Sequence, residues 1–357
     1  MITYVIRRLF LMVPTLLGIT ALVFFVMAYS PGGVGGPAMD QQENIKGEEA
    51  KRIREYYNKR YGLDKPPIVQ YARWLNQISP VGFVPNEKGE LGGLGFKWPD
   101  LGESLVRHRP VTQLIAESLP ITILLNMVSI PFVYAIGIVS GIFAARFRGQ
   151  WFDVTTGSVF LGLWSMPTIW VGVMLIGFFA NASYFKWFPT AGLHDILADS
   201  MTFLPRFTEA GWERGWLLDM LWHLVLPVVC LSYGGFAYLS KLMRGSILDN
   251  LQADFVRTAR AKGVAEGPIL FRHVFRNSVL ALITVAAGIV PALLGGSVVI
   301  ETIFSIPGMG RLGVEAVQYR DRELILATTL IGGLIGLLAD IFRDVWYAAA
   351  DPRVSYE

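Results

Sequence analysis

The sequence predicts an all-α membrane protein of six transmembrane helices with a sizeable external loop region, on three observations. Of 357 residues, 53% are hydrophobic and only 17% charged, against roughly 25% charged in ordinary soluble domains. The apolar residues are gathered into long uncharged blocks. Six of these blocks reach, or nearly reach, the ~20 residues a helix needs to cross the hydrocarbon core. The same composition excludes other classes. A net charge of +3 is too small to point to nucleic acid, and a single cysteine, Cys230, rules out a disulfide framework.

The first block covers 9–29 and follows Arg7 and Arg8. It is longer than the roughly 7–15 residues of a signal-peptide core and no small-x-small cleavage site follows, so a retained anchor is expected. Blocks at 118–145 and 154–182 are free of charge, and a fourth at 220–240 has His223 near its start. The fifth spans 278–300. The sixth, 324–339, is the shortest and is followed by Asp340, Arg343 and Asp344. Pro14, Pro120, Pro131, Pro167, Pro227 and Pro291 fall inside these blocks. Within a bundle, neighbouring helices can satisfy the carbonyls that proline frees, so packing kinks are expected.

Lysine and arginine in short loops set orientation. Arg7 and Arg8, then Arg146 and Arg148, then Lys241, Arg244, Arg257, Arg260, Lys262, Arg272 and Arg276 all fall on one side. That side is the cytoplasm, and both termini are expected there. The chain therefore divides into a cytoplasmic N-terminus with the first helix (1–30), an external region (31–117) and a five-helix core (118–357). The core includes a cytoplasmic loop at 244–277 and an external loop at 183–219. In the external region, a charged helix-prone segment is expected at 48–61. Another helix should start after Pro66-Pro67 with Tyr71, Trp74 and Leu75 on one side, and 79–100 should be irregular.

The loop at 244–277 is the most informative segment. A short helix fits 253–262, with Ala253, Val256 and Ala259 apolar and Phe255 beside them. Gly263 follows, where a helix end wants a residue that tolerates positive φ. A second helix opens at Gly267-Pro268 and continues through Ile269, Phe271, His273 and Phe275. Such a helix–turn–helix can lay itself into a groove of a soluble partner or lie on anionic lipid. Periodicity does not separate the two.

The remaining polar residues suggest structural roles. His223, beside Trp222, reads as interfacial, with no second ligand at metal spacing. Asp340, Arg343 and Asp344, one helical turn apart, are expected to pair within the helix, with a contact to a partner subunit as the alternative, and Arg320-Asp321-Arg322-Glu323 reads as solvated charge on an external loop. Thr15, Asn126 and Ser129 fit either a polar path or hydrogen bonds between helices, and the latter is expected. No nucleophile–base pair or carboxylate pair suggests an intramembrane enzyme. A stand-alone secondary carrier or channel is the competing class; it would transport without ATP and gives no reason for the cytoplasmic hairpin.

At that hairpin a resemblance enters. Asp254-Phe-Val-Arg-Thr-Ala-Arg-Ala-Lys-Gly-Val264 followed by Phe271-Arg-His-Val-Phe-Arg-Asn277 resembles the coupling loop of binding-protein-dependent ABC importer permeases, in their peptide (oligopeptide, dipeptide, nickel) branch. The general motif there is Glu-Ala-Ala, three residues, then Gly. Gly263 and Ala259 match it, whereas Arg257 and Thr258 replace Glu and the first Ala, as is common in that branch. Further matches keep their order along the chain: Ile6-Arg-Arg-Leu9, Pro14-Thr-Leu-Leu-Gly18, Tyr61-Gly-Leu-Asp64, Leu101-Gly-Glu-Ser104, Glu301-Thr-Ile-Phe304, Pro307-Gly-Met-Gly310 and Asp351-Pro-Arg353. The longer external loops are most similar to the microcin C and peptide importer subgroup.

The resemblance implies a type I importer permease bundle in the bacterial inner membrane that carries peptides or peptide-like solutes. It implies a second homologous permease, a cytoplasmic ATP-binding subunit and a periplasmic solute-binding protein as partners, and no nucleic acid. The chain has no Gly-x-x-x-x-Gly-Lys-Ser/Thr sequence, so ATP and Mg are expected on the partner, with no catalytic residue, metal or cofactor here. Arg257, Thr258, Ala259, Arg260, Lys262, Gly263, Arg272 and His273 are the expected ATPase-coupling residues. The residues lining the substrate path are not identifiable from the sequence.

Overall fold

The computed structural model describes residues 2–30, 62, 65–85, 91–104, 106–208, 211–286, 288–294 and 297–350. The expected helix at 48–61, the glycine-rich stretch after Pro31 and Asp351-Pro-Arg353 lie outside the described residues. In chain order, α1 (Ile2–Tyr29) is followed by α2 (Pro67–Ile78) and the strands β1 (Val81–Pro85) and β2 (Leu91–Phe96). Next come α3 (Val111–Arg146), α4 (Trp151–Ser165) and α5 (Thr168–Leu175), the last continuing as a π turn through Ala180. A second small strand pair, β3 (Arg206–Thr208) and β4 (Gly211–Glu213), precedes α6 (Gly215–Leu251) and α7 (Asp254–Ala261). Then follow α8 (Glu266–Ala286, with a π turn over Ile269–Val274), α9 (Ile289–Leu294), α10 (Val298–Ile303), α11 (Met309–Gln318) and α12 (Arg322–Ala350).

Among the described residues, five helices are long and apolar enough to cross a membrane, and the bent pair α4–α5 makes a sixth when taken as one span. The mostly helical, multi-span fold expected from the sequence is what forms. Two details differ. Residues 79–100 are not wholly irregular, since β1 and β2 pair antiparallel with Val81 opposite Phe96 and Phe83 opposite Leu94. The hairpin is tied to α2 by Asn76, whose carboxamide accepts from the Phe83 N–H and donates to its carbonyl (2.8 and 3.0 Å). The apolar run at 278–300 is not one helix either. α8 ends at Ala286, and α9 and α10 are separate short helices. Glycines at 288, 295 and 296 weaken helix propensity there, and Asn126 donates to the Leu293 carbonyl (3.3 Å).

The chain divides into two compact units, one of residues 120–311 and 339–357, the other of 2–119 and 312–338. In the first, one apolar core joins Leu125, Leu224, Cys230, Ile300 and Phe304, and a second joins Ile142, Leu239, Met243, Val256, Ile269 and Val274. α3 meets α6 through Gly137 and Gly141. A Cβ on Gly137 would lie 2.6 Å from the Leu239 Cβ, and one on Gly141 would lie 2.7 Å from both the Met243 Cβ and the Ser240 carbonyl. Small residues four apart let the helix backbones approach, so packing and the Ser140–Ser240 hydrogen bond (2.9 Å) hold the pair. Gly141→Ala should therefore lower the melting temperature in detergent, by an overpacking cost of about 1–3 kcal/mol. Gly157→Ala is the control, because a Cβ there meets nothing within 4 Å. Equal melting of the two variants would contradict this packing.

The α4–α5 break turns the chain by 101° at Met166-Pro167. α6 satisfies the carbonyls this exposes. The Tyr233 hydroxyl donates to Met166 O (2.7 Å), and the Cys230 thiol lies 3.6 Å from Thr168 O. Neither carbonyl is left to face lipid without a partner.

In the second unit, Pro67 opens α2, as a proline in the first turn can. Its Trp74 packs with Phe24 of α1 and Leu326 of α12. Tyr71 on the same side donates to Leu17 O and meets the Thr20 hydroxyl, both at 2.9 Å. The 320–323 run departs from the solvated loop expected of it. Asp321, Arg322 and Glu323 are buried. Asp321 accepts from the Ser104 hydroxyl (2.5 Å) and the Leu324 N–H (3.3 Å), capping α12, and the Arg322 guanidinium lies 4.9 Å from the Phe24 ring centre. Arg320 stays exposed as expected, whereas burial of the next three charges comes from tertiary neighbours that a linear reading does not reveal.

Candidate coupling site

α6 ends at Leu251, and Ala253, in extended conformation, starts α7 one residue inside the expected 253–262. Asp254 in the first turn complements the helix dipole and forms an i,i+3 ion pair with Arg257 (3.4 Å). The Thr258 hydroxyl donates to Asp254 O (2.9 Å). Val256, 0% exposed, pins α7 to α6 and α8 through Ile247, Ile269 and Val274. With Val256 inward, Arg257, Thr258, Arg260 and Lys262 face outward, and Ala259 is half-buried against the same core.

The end of α7 explains Gly263. The Gly263 N–H donates to Arg260 O (2.9 Å) and the Val264 N–H to Ala259 O (3.1 Å), the paired bonds of a Schellman motif. Gly263 has φ +76°, which glycine adopts without the steric cost a Cβ brings. Val264 and Ala259 both pack against the core, completing the motif's apolar contact. Arg260 then clasps Glu266 through Nε and Nη2 (2.7 and 3.1 Å), which holds the Arg260 guanidinium above its ordinary pKa. Both side chains are largely exposed, so the clasp orders the turn more than it stabilises the fold.

The second arm opens at Glu266, one residue before the expected Gly267-Pro268. Ile269, Leu270 and Val274 are buried, while Phe271, Arg272 and His273 are exposed. The spacing of the buried residues follows the π turn and not a 3.6-residue period. Seven of the eight expected coupling residues therefore lie on the exposed face of one hairpin, and Ala259 lies half-buried beneath it. Phe255, beside the apolar positions of α7, and Phe271 are exposed at 39% and 51%. The π turn that rotates Phe271 outward leaves no mark in the amino-acid pattern. The exposed face combines the Phe255 and Phe271 rings with Arg257 and Arg272, residue types enriched at protein interfaces, and adds the charge of Lys262.

Two other polar clusters lie in the same unit. Glu301, 0% exposed, accepts from the Thr122 hydroxyl (3.0 Å) and the Arg311 N–H (2.9 Å), while Thr122 in turn accepts from the Met309 N–H (2.8 Å). The carboxylate thus binds the first turn of α11, where backbone donors and the dipole favour an anion. Gly308 and Gly310 leave it room. A Cβ on either would come within 3.0 Å of the Glu301 carboxylate or the Val298 backbone. Asp219 forms the second cluster. It accepts from the Asp195 N–H (2.8 Å), with His223 Nδ1 at 3.5 Å and His194 Nδ1 at 3.9 Å. Burial holds the His194 imidazole below its ordinary pKa, against the pull of Asp219. His223 is buried, with its Nδ1 2.9 Å from Asp219 O. No group of three or more His, Cys, Asp or Glu among the described residues is placed to hold a metal ion.

Thr15 and Ser129 bond back to their own helices, and only Asn126 reaches another segment. Arg343 pairs with Asp340 at 3.0 Å and lies 3.9 Å from Asp344, as expected.

Comparison with known proteins adds to this geometry. Residues 137–356 match the family described as binding-protein-dependent transport system inner membrane component, and residues 1–126 match its N-terminal counterpart. The oligopeptide transport system permease protein AppB of Bacillus subtilis is 34% identical over 358 residues, covering 100% of both chains. The inner membrane ABC transporter permease protein YejB of Escherichia coli O157:H7 is 34% identical, covering 99% of each chain. The peptidoglycan transport system permease protein YejB of Agrobacterium fabrum is 32% identical, covering 99% of this chain and 98% of that one. Each of these relatives is a permease protein and none is named as an enzyme. A stand-alone carrier does not account for such end-to-end similarity.

Proposed function

The chain belongs to the binding-protein-dependent transport system inner membrane components, multi-pass permease subunits of ABC transporters, and we propose that it carries peptides or peptide-like solutes across the inner membrane together with a second homologous permease. ATP and Mg sit on a separate cytoplasmic subunit, and a periplasmic binding protein delivers the solute. The α7–α8 hairpin transmits closure of the ATPase to the bundle. One observation carries this last step: a basic, aromatic-bearing surface stands on a rigid turn, with Val256 locked in the core beneath it. A rigid element is what converts motion of one subunit into rearrangement of another.

The substrate class rests on relatives whose names carry oligopeptide and peptidoglycan, which share peptide bonds. The cytoplasmic orientation of the hairpin and both termini is supported by the short basic loops. The test is to co-express the tagged chain with its partner subunits, purify the assembly and assay ATP hydrolysis with and without the binding protein. Co-purifying hydrolysis that the binding protein stimulates supports the reading. A chain that purifies alone and takes up solute without ATP would overturn it.

A further inference from the structure

In the unit that holds α4 and α6, these helices leave a cleft of about 690 Å³ between them. This is ample for part of a lipid-sized ligand. Its walls are apolar. Leu161 and Trp164 of α4 and Tyr238 of α6 line it, and all three remain largely exposed. One end is different, because Asp153, Lys241 and Arg244 meet there. Asp153 is already engaged: Arg244 donates to it through Nε and Nη2 (2.6 and 2.7 Å), and the Gly149 N–H donates at 2.9 Å. Arg148, in the turn between α3 and α4, lies within electrostatic reach of the same carboxylate. Lys241 is exposed and enters no ion pair among the described residues. Three cations thus stand against one anion at that end.

The cleft therefore has an apolar trough and a cationic mouth, complementary to an acidic phospholipid. We infer that the α4–α6 cleft binds an anionic phospholipid, with its headgroup phosphate at Lys241, Arg148 and Arg244 and an acyl chain along Leu161 and Trp164. Basic pockets between transmembrane helices take acidic headgroups for this reason. A protein segment seated there would have to desolvate Lys241 and bring its own carboxylate to that depth, whereas a phosphate meets the lysine from the headgroup layer.

The test uses the full-length chain with its partner subunits in detergent. It counts, by native mass spectrometry, the phosphatidylglycerol and phosphatidylethanolamine retained from an equimolar supply. Wild type should retain phosphatidylglycerol preferentially. Lys241→Gln should reduce that preference roughly fivefold, the worth of one basic residue near a membrane surface. Gly157→Leu, which points a side chain into open space in the cleft, should reduce retention of both lipids without changing the melting temperature. Equal retention of the two lipids by wild type would overturn the proposal, as would a preference that neither variant alters. If Gly157→Leu expels the second permease and leaves lipid retention intact, the cleft is a protein contact and the proposal fails.

Discussion

Gly263→Asp is expected to uncouple ATP hydrolysis from uptake, cutting transport severely while the protein still folds and inserts. The fold tolerates the change for two reasons. A Cβ at Gly263 meets nothing within 4 Å, and aspartate is among the few residues that visit the left-handed conformation locally, so the φ of +76° costs on the order of 1 kcal/mol. The interface should not tolerate it. The new carboxylate stands on the exposed corner beside Arg260 and Lys262, where it offers a competing partner for the Arg260–Glu266 clasp and reverses charge on a basic surface. A loss on the order of thirtyfold in transport-coupled ATP hydrolysis, equivalent to removing a ~2 kcal/mol hot spot, is expected at unchanged membrane abundance. Wild-type transport by this variant would remove the hairpin from the coupling route.

Glu301→Ala should strongly destabilise the first unit. It strands the Thr122 hydroxyl and the Arg311 N–H, both of which donate to the carboxylate, and leaves a void beside Gly308 and Gly310. Each stranded donor costs about 1–3 kcal/mol, and the cavity adds to that. The melting temperature in detergent should fall well below that of Gly141→Ala. Glu301→Gln should fall between, since the amide keeps one acceptor oxygen but turns its NH2 toward a backbone donor. If Glu301→Ala melts with wild type, the buried network does not hold α11 in place.

Much of the fold was legible because the lipid constraint is one of length and charge. The uncharged runs locate α1, α3, α6 and α12, and Pro167 marks the α4–α5 break. α7 was legible through the Gly263 stop and the Ala253 and Val256 spacing. The rest was hidden for definite physical reasons. Gly137 and Gly141 carry a packing signal that only becomes decisive once Met243 and Ser240 are placed opposite them. The fate of Asp321 depends on Ser104, more than two hundred residues away in the chain. The outward turn of Phe271 depends on a π turn, and the break of the 278–300 run on helix ends that hydropathy does not register.

The most direct test of the account is site-specific cross-linking from the hairpin. Cys230 is the one cysteine in the sequence and is 1% exposed, so the wild-type chain serves as an unreactive background. Thr258→Cys places a thiol on the exposed face of α7. In membranes holding the assembled transporter, a short thiol–amine cross-linker should join that thiol to the ATP-binding subunit, with a yield that changes on adding ATP. The Gln150→Cys variant, with its thiol in the turn between α3 and α4, should give a far lower yield. Strong capture of the ATPase from position 150 with none from position 258 would contradict the assignment of the hairpin as the coupling element.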